Sequence, residues 1–315
     1  MQGLNRFKWM SYITLIVLFL LIGVGGLVRV TGSGMGCPDW PKCFGLWLPP
    51  NCECQLPDNY HEIYKDHGYP EGVNFDPLKT AIEYINRLLG VFAGFLVLIT
   101  FFLAYKVRKV HKAIFTGTLL CLILVILEGG IGAMVVKLNL QQQSVTLHYF
   151  MAIALVSCLL YSIAAVRKLQ RDELVNISRK QRSYLIAAIL VSALQLFSGA
   201  NLRSITEGLA GITIYEWLQK NELIFNMHRF YAIIVVVINT LLWLNFKAFE
   251  FSKLALIAIV FSVVAQMITG LMLNFANFPQ GAQILHILLP AVLFCSQFYI
   301  LSYLIIKRET RFVSV

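Results

Sequence analysis

Eight long apolar stretches constrain the fold of this chain more than any other feature of its 315 residues. Each is close to the ~20 residues that a helix needs to cross the hydrocarbon of a bilayer. Hydrophobic residues make up 58% of the chain and charged residues only 13%, about half the charged fraction of a soluble domain. The sequence therefore predicts an all-α, polytopic membrane protein with eight transmembrane helices. The predicted helices lie at roughly 9–29, 80–104, 113–136, 145–166, 184–201, 222–244, 253–273 and 281–306.

The basic residues are concentrated in alternate connections between these stretches. Most of the 26 Lys and Arg residues precede the first stretch, follow the second, fourth and sixth stretches, or end the chain. Because cytoplasmic segments are enriched in Lys and Arg, both termini are predicted to be cytoplasmic and the long 30–79 loop extracytoplasmic. We interpret the net charge of +10 as orientation in a bacterial cell membrane, with lipid as a partner and no nucleic acid.

Polar residues recur near the outer ends of four predicted helices. The second helix carries an asparagine where the sixth carries a histidine, and each is followed by an arginine. The fourth and eighth helices open with a lone histidine. Ionisable groups at membrane depth are costly, so these residues are candidates for a functional site. They are Asn86, Arg87, His148, His228, Arg229 and His286.

The two halves of the chain contain an internal repeat. Halves with an even number of helices run in the same direction, which predicts a parallel repeat about an axis along the membrane normal. We expect one four-helix bundle at 1–166, a cytoplasmic linker at 167–183 and a second bundle at 184–315. The matching sets are Gly25, Arg29 and Gly34 with Gly199, Arg203 and Gly208, and Glu128, Gly132, Met134 and His148 with Gln266, Gly270, Met272 and His286.

The histidines suit the ligation of haem iron. Imidazoles from two helices of one bundle can bind the iron from opposite faces, and His228 and His286 make such a pair in the second half. The other interpretation is that each histidine is a polar anchor at the membrane interface. Three histidines at matching depth favour ligation over anchoring. A dinuclear zinc or copper site is disfavoured, because no Cys or carboxylate joins the histidines at compact spacing.

Four arginines at the same outer level have two interpretations. Guanidinium groups bind carboxylates in a bidentate way, which suits haem propionates. They equally suit loop carbonyls or lipid headgroups, and the sequence leaves the choice open. The arginines are Arg29, Arg87, Arg203 and Arg229.

Two acidic residues in the predicted helices are further candidates. Glu83 precedes Asn86 by three residues and Arg87 by four, so the three share one helix face. Glu83 could pair with Arg87 alone, or relay protons beside an open iron position during oxygen chemistry. Its counterpart in the second half is Phe225, so the halves are not chemically equivalent. Glu128 lies deeper, and is either functional or protonated and hydrogen-bonded across helices.

Four cysteines lie in the predicted extracytoplasmic loop, where disulfides persist. Cys37 and Cys43 would close a short loop. Cys52 and Cys54 are separated by one residue, and we expect them to be too close for an easy mutual bridge. Structural cross-links are the first interpretation, and a thiol relay stays open.

Together these residues resemble the haem A synthase family. The resemblance rests on GGLVRVTGSGMGCPDWPKCFG after the first helix, EYINR in the second, the lone histidine of the fourth, NMHR in the sixth and LHI in the eighth. It implies two similar four-helix bundles, one holding a stable haem b and the other taking haem O as substrate. The implied reaction oxidises the C8 methyl group of haem O to the formyl group of haem A by successive hydroxylations. The implied partners are haem O synthase and an electron donor, for which quinol is a candidate, and a homo-oligomer stays open.

The resemblance also implies roles for individual residues. His228 and His286 would ligate haem b, and His148 would be an axial ligand of the substrate haem. Glu83 matches a glutamate implicated in catalysis. The matching cysteine pair of the first outer loop is Cys37 and Cys43.

Asn86 departs from the family motif, which has histidine at this position. Either the first-half haem is five-coordinate with Asn86 near its vacant face, or catalysis is lost. We favour the five-coordinate haem, because Glu83, Tyr84 and Arg87 are retained and an open iron position suits oxygen activation. Two other classes stay open. One is a b-type cytochrome that carries electrons from quinol to outer-loop thiols; the other, ranked last because no broken-helix pair is evident, is a secondary transporter.

Overall fold

The structure, a computed structural model, describes residues 2–65, 74–171, 175–206, 222–276 and 278–307, with the side chains of 203–206 outside the description. Within these residues the chain forms eight helices long and apolar enough to cross a membrane, one short helix and no β-strand. The predicted all-α fold with eight transmembrane helices is therefore confirmed. The helices are α1 (Gln2–Val30), α2 (Tyr60–Lys65), α3 (Pro77–Lys106), α4 (Lys112–Lys137), α5 (Gln142–Gln170), α6 (Arg179–Thr206), α7 (Glu222–Phe246), α8 (Lys253–Phe275) and α9 (Gln280–Ile305).

Several helices extend beyond the apolar stretches that predicted them. The helix predicted at 145–166 begins at Gln142 and ends at Gln170, because backbone hydrogen bonding continues into polar flanks that leave the hydrocarbon. Asp76 caps the start of α3, where its side chain accepts hydrogen bonds from two backbone amides of the first turn. Of the linker predicted at 167–183, residues 167–170 belong to the end of α5 and residues 179–183 to the start of α6.

Each half of the chain closes a ring of four helices. In the first half, α1 contacts α3 and α5, and α4 contacts the same two helices. In the second half, α6 contacts α7 and α9, and α8 contacts the same two helices. The halves meet where α9 packs on α1 and α5, and there the Tyr149 hydroxyl donates a hydrogen bond of 2.7 Å to the Ile287 carbonyl. The order of neighbours is the same in both rings; the pseudo-symmetry axis and the membrane orientation stay predictions.

Small and polar residues bring the helices together. Helices in lipid gain little from the hydrophobic effect, so close backbone approach and interhelical hydrogen bonds stabilise their packing. Gly117 of α4 lies so close to α5 that an added Cβ would collide with the Ser162 hydroxyl. In the second half, the amide of Gln297 donates to Ser192 at 2.9 Å and to Asn239 at 2.7 Å. These bonds join α9 to α6 and α7.

The loop after α1 packs against the first turns of α3. A Cβ added at Gly36 would lie 2.6 Å from the Lys79 carbonyl oxygen, so only glycine allows this approach. The Thr80 hydroxyl then donates a hydrogen bond of 2.9 Å to the Gly36 carbonyl. The loop has an apolar centre of its own, formed by Cys37, Cys43, Phe44, Leu56, Tyr60 and Tyr64.

Two disulfides cross-link this loop. The structure pairs Cys37 with Cys43. It also pairs Cys52 with Cys54, so the expectation that these two are too close to bridge was wrong. The reason is the tight helical turn at Glu53–Gln55, which brings the two Cα atoms to 5.2 Å, well inside the range of about 4.4–6.8 Å that a disulfide spans.

Candidate functional site

Three histidines each lie beside a glycine of the preceding helix. A Cβ added at the glycine would lie only 3.2–3.6 Å from the Cε1 atom of the histidine. The missing side chain therefore leaves room for an imidazole between the two helices. Each histidine falls in the first turns of its helix, so the three places are equivalent in the chain's helical order. The pairs are Gly132 with His148, Gly199 with His228, and Gly270 with His286.

His228 and His286 face each other across the second ring of helices. Their ring centroids are 6.4 Å apart and the ring planes are inclined by 63°. Two imidazoles that bind one metal ion from opposite sides, at about 2 Å each, have centroids about 6 Å apart. The observed separation therefore fits a single iron atom held between these two side chains, as in a haem with two axial histidines.

Polar side chains orient both imidazoles of this pair. The Thr269 hydroxyl lies 2.9 Å from Nδ1 of His286, which leaves Nε2 for a metal ion. The Ser198 hydroxyl lies 3.5 Å from Nδ1 of His228. The amide nitrogen of Gln195 lies 3.3 Å from Nε2 of His228, so ligation through that atom requires the amide to move aside. Such neighbours fix the tautomer and the direction of a metal-binding imidazole.

His148 in the first half has a different partner. Its Nδ1 atom contacts the carboxylate of Glu128 on α4. Glu128 is buried, with 8% of its surface exposed. Sequence reasoning named both residues but did not pair them. The contact follows from the helix geometry, because Glu128 precedes Gly132 by one helical turn and Gly132 is the glycine beside His148.

Asn86 lies beside open space. Its Oδ1 atom is buried and has no hydrogen-bond partner among the described residues. A Cβ added at Gly90 or Gly94, one and two turns further along the same face of α3, would meet nothing within 4 Å. The same holds for Gly25, the repeat counterpart of the glycine beside His228. An unsatisfied buried oxygen costs about 1–3 kcal/mol, so this oxygen and the space beside it fit a bound group.

Glu83 and Arg87 join α3 to the disulfide loop. Glu83 is buried, with 4% of its surface exposed, and its Oε2 accepts a hydrogen bond of 2.8 Å from the backbone amide of Cys37. Its Oε1 pairs with Arg87. The Arg87 guanidinium also donates to the carbonyls of Cys37, Asp39 and Lys42 at 2.9, 2.7 and 2.8 Å. In the structure Arg87 therefore binds loop carbonyls; propionate binding by Arg87 and proton relay by Glu83 stay predictions.

The structure gives fewer contacts for the other three predicted arginines. Arg29 lies in the last turn of α1. Arg229 is exposed and lies over the ring of Phe225, 5.5 Å from its centroid. The first-half pair of Glu83 and Arg87 thus has a cation–π pair as its counterpart, with the same spacing on the helix. The side chain of Arg203 lies outside the described residues.

Comparison with known proteins places the chain in a family. Residues 8–298 match the family described as cytochrome oxidase assembly protein. The chain belongs to that family. The matched residues run from α1 into α9 and so cover most of the chain. The match confirms the resemblance found in the sequence.

Individual relatives of the cytochrome oxidase assembly protein family carry a more specific name. The heme A synthase of Geobacillus kaustophilus is 28% identical over 252 residues, 73% of this chain and 68% of the relative. That of Bacillus cereus strain AH187 is 24% identical over 318 residues, 94% of this chain and 93% of the relative. That of Shewanella oneidensis is 30% identical over 155 residues, which is 49% of this chain and 44% of the relative.

The two halves of the chain differ in the groups that they present at the candidate site. The second half presents two facing imidazoles that neutral side chains orient. The first half presents one imidazole in contact with a carboxylate, and separately a buried amide oxygen beside open space. Two axial imidazoles suit electron transfer, whereas one imidazole leaves an iron position for a reactant.

Proposed function

We propose that this chain is a haem A synthase, an oxidoreductase that converts haem O to haem A for cytochrome oxidase assembly. The observation that carries the proposal is the facing pair of His228 and His286 in one half, against one histidine at the equivalent place in the helical order, His148, in the other. The names of relatives that align over more than nine tenths of the chain support the same activity.

In this proposal the second half binds a resident haem b. His228 and His286 would hold it, and Thr269 would keep Nδ1 of His286 engaged so that Nε2 is available to the iron. Arg203 and Arg229, with Arg29 and Arg87 in the first half, bind haem propionates or the loop above them. The resident haem supplies one-electron transfer towards the substrate.

The first half binds haem O as substrate. His148 would hold its iron, and Asn86 would lie near the vacant face without providing a strong ligand. The open iron position of the substrate would suit oxygen activation. Each hydroxylation of the C8 methyl group inserts one atom of O₂, consumes two electrons and two protons, and releases water. After two hydroxylations, loss of water from the geminal diol leaves the formyl group.

Glu83 and Arg87 anchor the disulfide loop to α3 in this half. Their bonds to Cys37, Asp39 and Lys42 fix the Cys37–Cys43 loop on α3. The Glu83 carboxyl group lies one turn from Asn86, and in this proposal it also passes protons towards the reacting centre.

The remaining parts of the proposal concern orientation and partners. The distribution of Lys and Arg supports cytoplasmic termini, with the histidines in the outer half of a bacterial cell membrane. The two bundles then correspond to residues 1–166 and 184–315. Haem O arrives from haem O synthase, and a lipid-soluble donor such as quinol provides the electrons.

Pigment analysis after co-expression with a source of haem O tests the proposal. We expect haem A in extracts of the native chain, and its loss in His148→Ala with haem b retained. His286→Ala should lose haem b. A protein that binds haem but forms no haem A would instead be a b-type cytochrome, the alternative function.

A further inference from the structure

Glu128 is a buried acid that the proposed reaction has not used so far. It lies in the membrane-spanning part of α4, where an acidic residue is rare and is normally paired or functional. Its carboxylate contacts Nδ1 of His148 on the neighbouring helix. Among the described residues, neither carboxyl oxygen has any other hydrogen-bond partner. Any role of Glu128 in this half is therefore expected to act through His148.

In the second half, Nδ1 of the equivalent histidine has a different partner. The residue at the repeat position of Glu128 is Gln266, and Nδ1 of His286 is met by the Thr269 hydroxyl at 2.9 Å. The repeat counterpart of Thr269 in the first half is Ile131, which has no hydroxyl. A carboxylate thus replaces a neutral hydroxyl at the one histidine whose opposite ligand position is occupied by asparagine.

We propose that Glu128 is a positioning residue for His148. Its carboxyl oxygen accepts a hydrogen bond from the Nδ1–H group of His148 and so holds the ring with Nε2 available to iron. The same hydrogen bond strengthens the Fe–N bond. This inference rests on the proposed function, in which His148 is the protein ligand of the substrate haem. Carboxylate partners of metal-binding histidines fix the tautomer and raise the basicity of the ligand. A stronger single bond offsets the missing second imidazole, and it lowers the reduction potential of the iron because electron donation favours the oxidised state.

Two variants and one control separate this role from a structural one. Glu128→Gln keeps the size and one acceptor oxygen but weakens the bond, because charge-assisted hydrogen bonds are the stronger kind. Glu128→Ala removes the acceptor. Thr269→Val is the matched control, since it removes the partner of His286 while keeping the side-chain shape. All three are purified with haem O bound, and the second-half haem b reports whether the protein is folded.

The readouts are the Fe–His stretching frequency of the reduced protein and the midpoint potential of each haem. In Glu128→Gln we expect a lower stretching frequency and a more positive potential for the first-half haem, with haem b unchanged. Glu128→Ala should retain haem O about 10-fold less tightly. Thr269→Val should change only the haem b signals.

Two results would overturn different parts of the account. If both Glu128 variants leave the first-half signals unchanged while His148→Ala abolishes them, Glu128 does not support the ligand and the inference fails alone. If His148→Ala leaves those signals unchanged, the ligand assignment is wrong and the proposed function fails with it. Should Glu128→Ala not fold, the frequency shift in Glu128→Gln decides the matter.

Discussion

Asn86 and His228 occupy equivalent positions of the repeat, and the change from imidazole to amide divides the chemistry of the two halves. His228 has a facing imidazole 6.4 Å away, between ring centroids. The Oδ1 atom of Asn86 has no partner in the described part of the chain, and the neighbouring glycine positions are open. In the proposed function, this single residue separates a site with two axial histidines from a site that keeps one iron position for a reactant.

Restoring the imidazole should close that position. We expect Asn86→His to convert the first-half haem from a five-coordinate, high-spin spectrum to a six-coordinate, low-spin one, and to reduce haem A formation. Electron paramagnetic resonance of the purified protein measures the change. Asn86→Ala is the control and should stay high-spin; an unchanged spectrum in Asn86→His would mean that this position does not face the iron.

Two equivalent glycines should respond differently to the same substitution. In Gly199→Ala the new Cβ would lie 3.2 Å from Cε1 of His228, so the ring must shift and haem b should be retained less well. In Gly25→Ala the new Cβ meets nothing within 4 Å, so haem b content should not change. Haem b per polypeptide, measured as the pyridine haemochrome, compares the two. Equal loss in both variants would rule out the contact with His228 as the cause.

At the scale of elements, polar groups of α3 hold the disulfide loop. Arg87 alone holds three loop carbonyls and the buried carboxylate of Glu83. The sequence contained both interpretations of this arginine but no means to choose, because the loop's carbonyls have no signature in residue types. In the second half the counterpart of Glu83 is Phe225, and Arg229 lies over its ring.

Removing the guanidinium should detach the loop. We expect Arg87→Ala to lower the stability of the loop-bound state by about 3 kcal/mol, since it leaves a buried carboxylate without its partner. Limited proteolysis within residues 31–65, in detergent and without reductant, measures the detachment. Arg229→Ala is the matched control: this exposed arginine lies over Phe225, and its loss should cost no more than about 1 kcal/mol. Equal protection of the loop in both variants would contradict the clamp.

At the scale of the whole molecule, the sequence predicts what the bilayer dictates. Eight spans follow from apolar length alone. The structure then places each of three histidines beside a glycine that belongs to the repeat, a proximity that the sequence analysis did not predict. Contacts between helices are less visible in the sequence, because they depend on helix rotation. The contact of Glu128 with His148 was missed for this reason. The Cys52–Cys54 bridge was disfavoured because the turn at Glu53–Gln55 was not foreseen.

The most direct test of the account is a count of iron environments in the purified, haem-loaded protein by electron paramagnetic resonance. We predict one low-spin signal that disappears in both His228→Ala and His286→Ala, and one high-spin signal that disappears only in His148→Ala. A protein that stays colourless after haem supply, or signals that persist in all three variants, would show that these imidazoles do not bind iron.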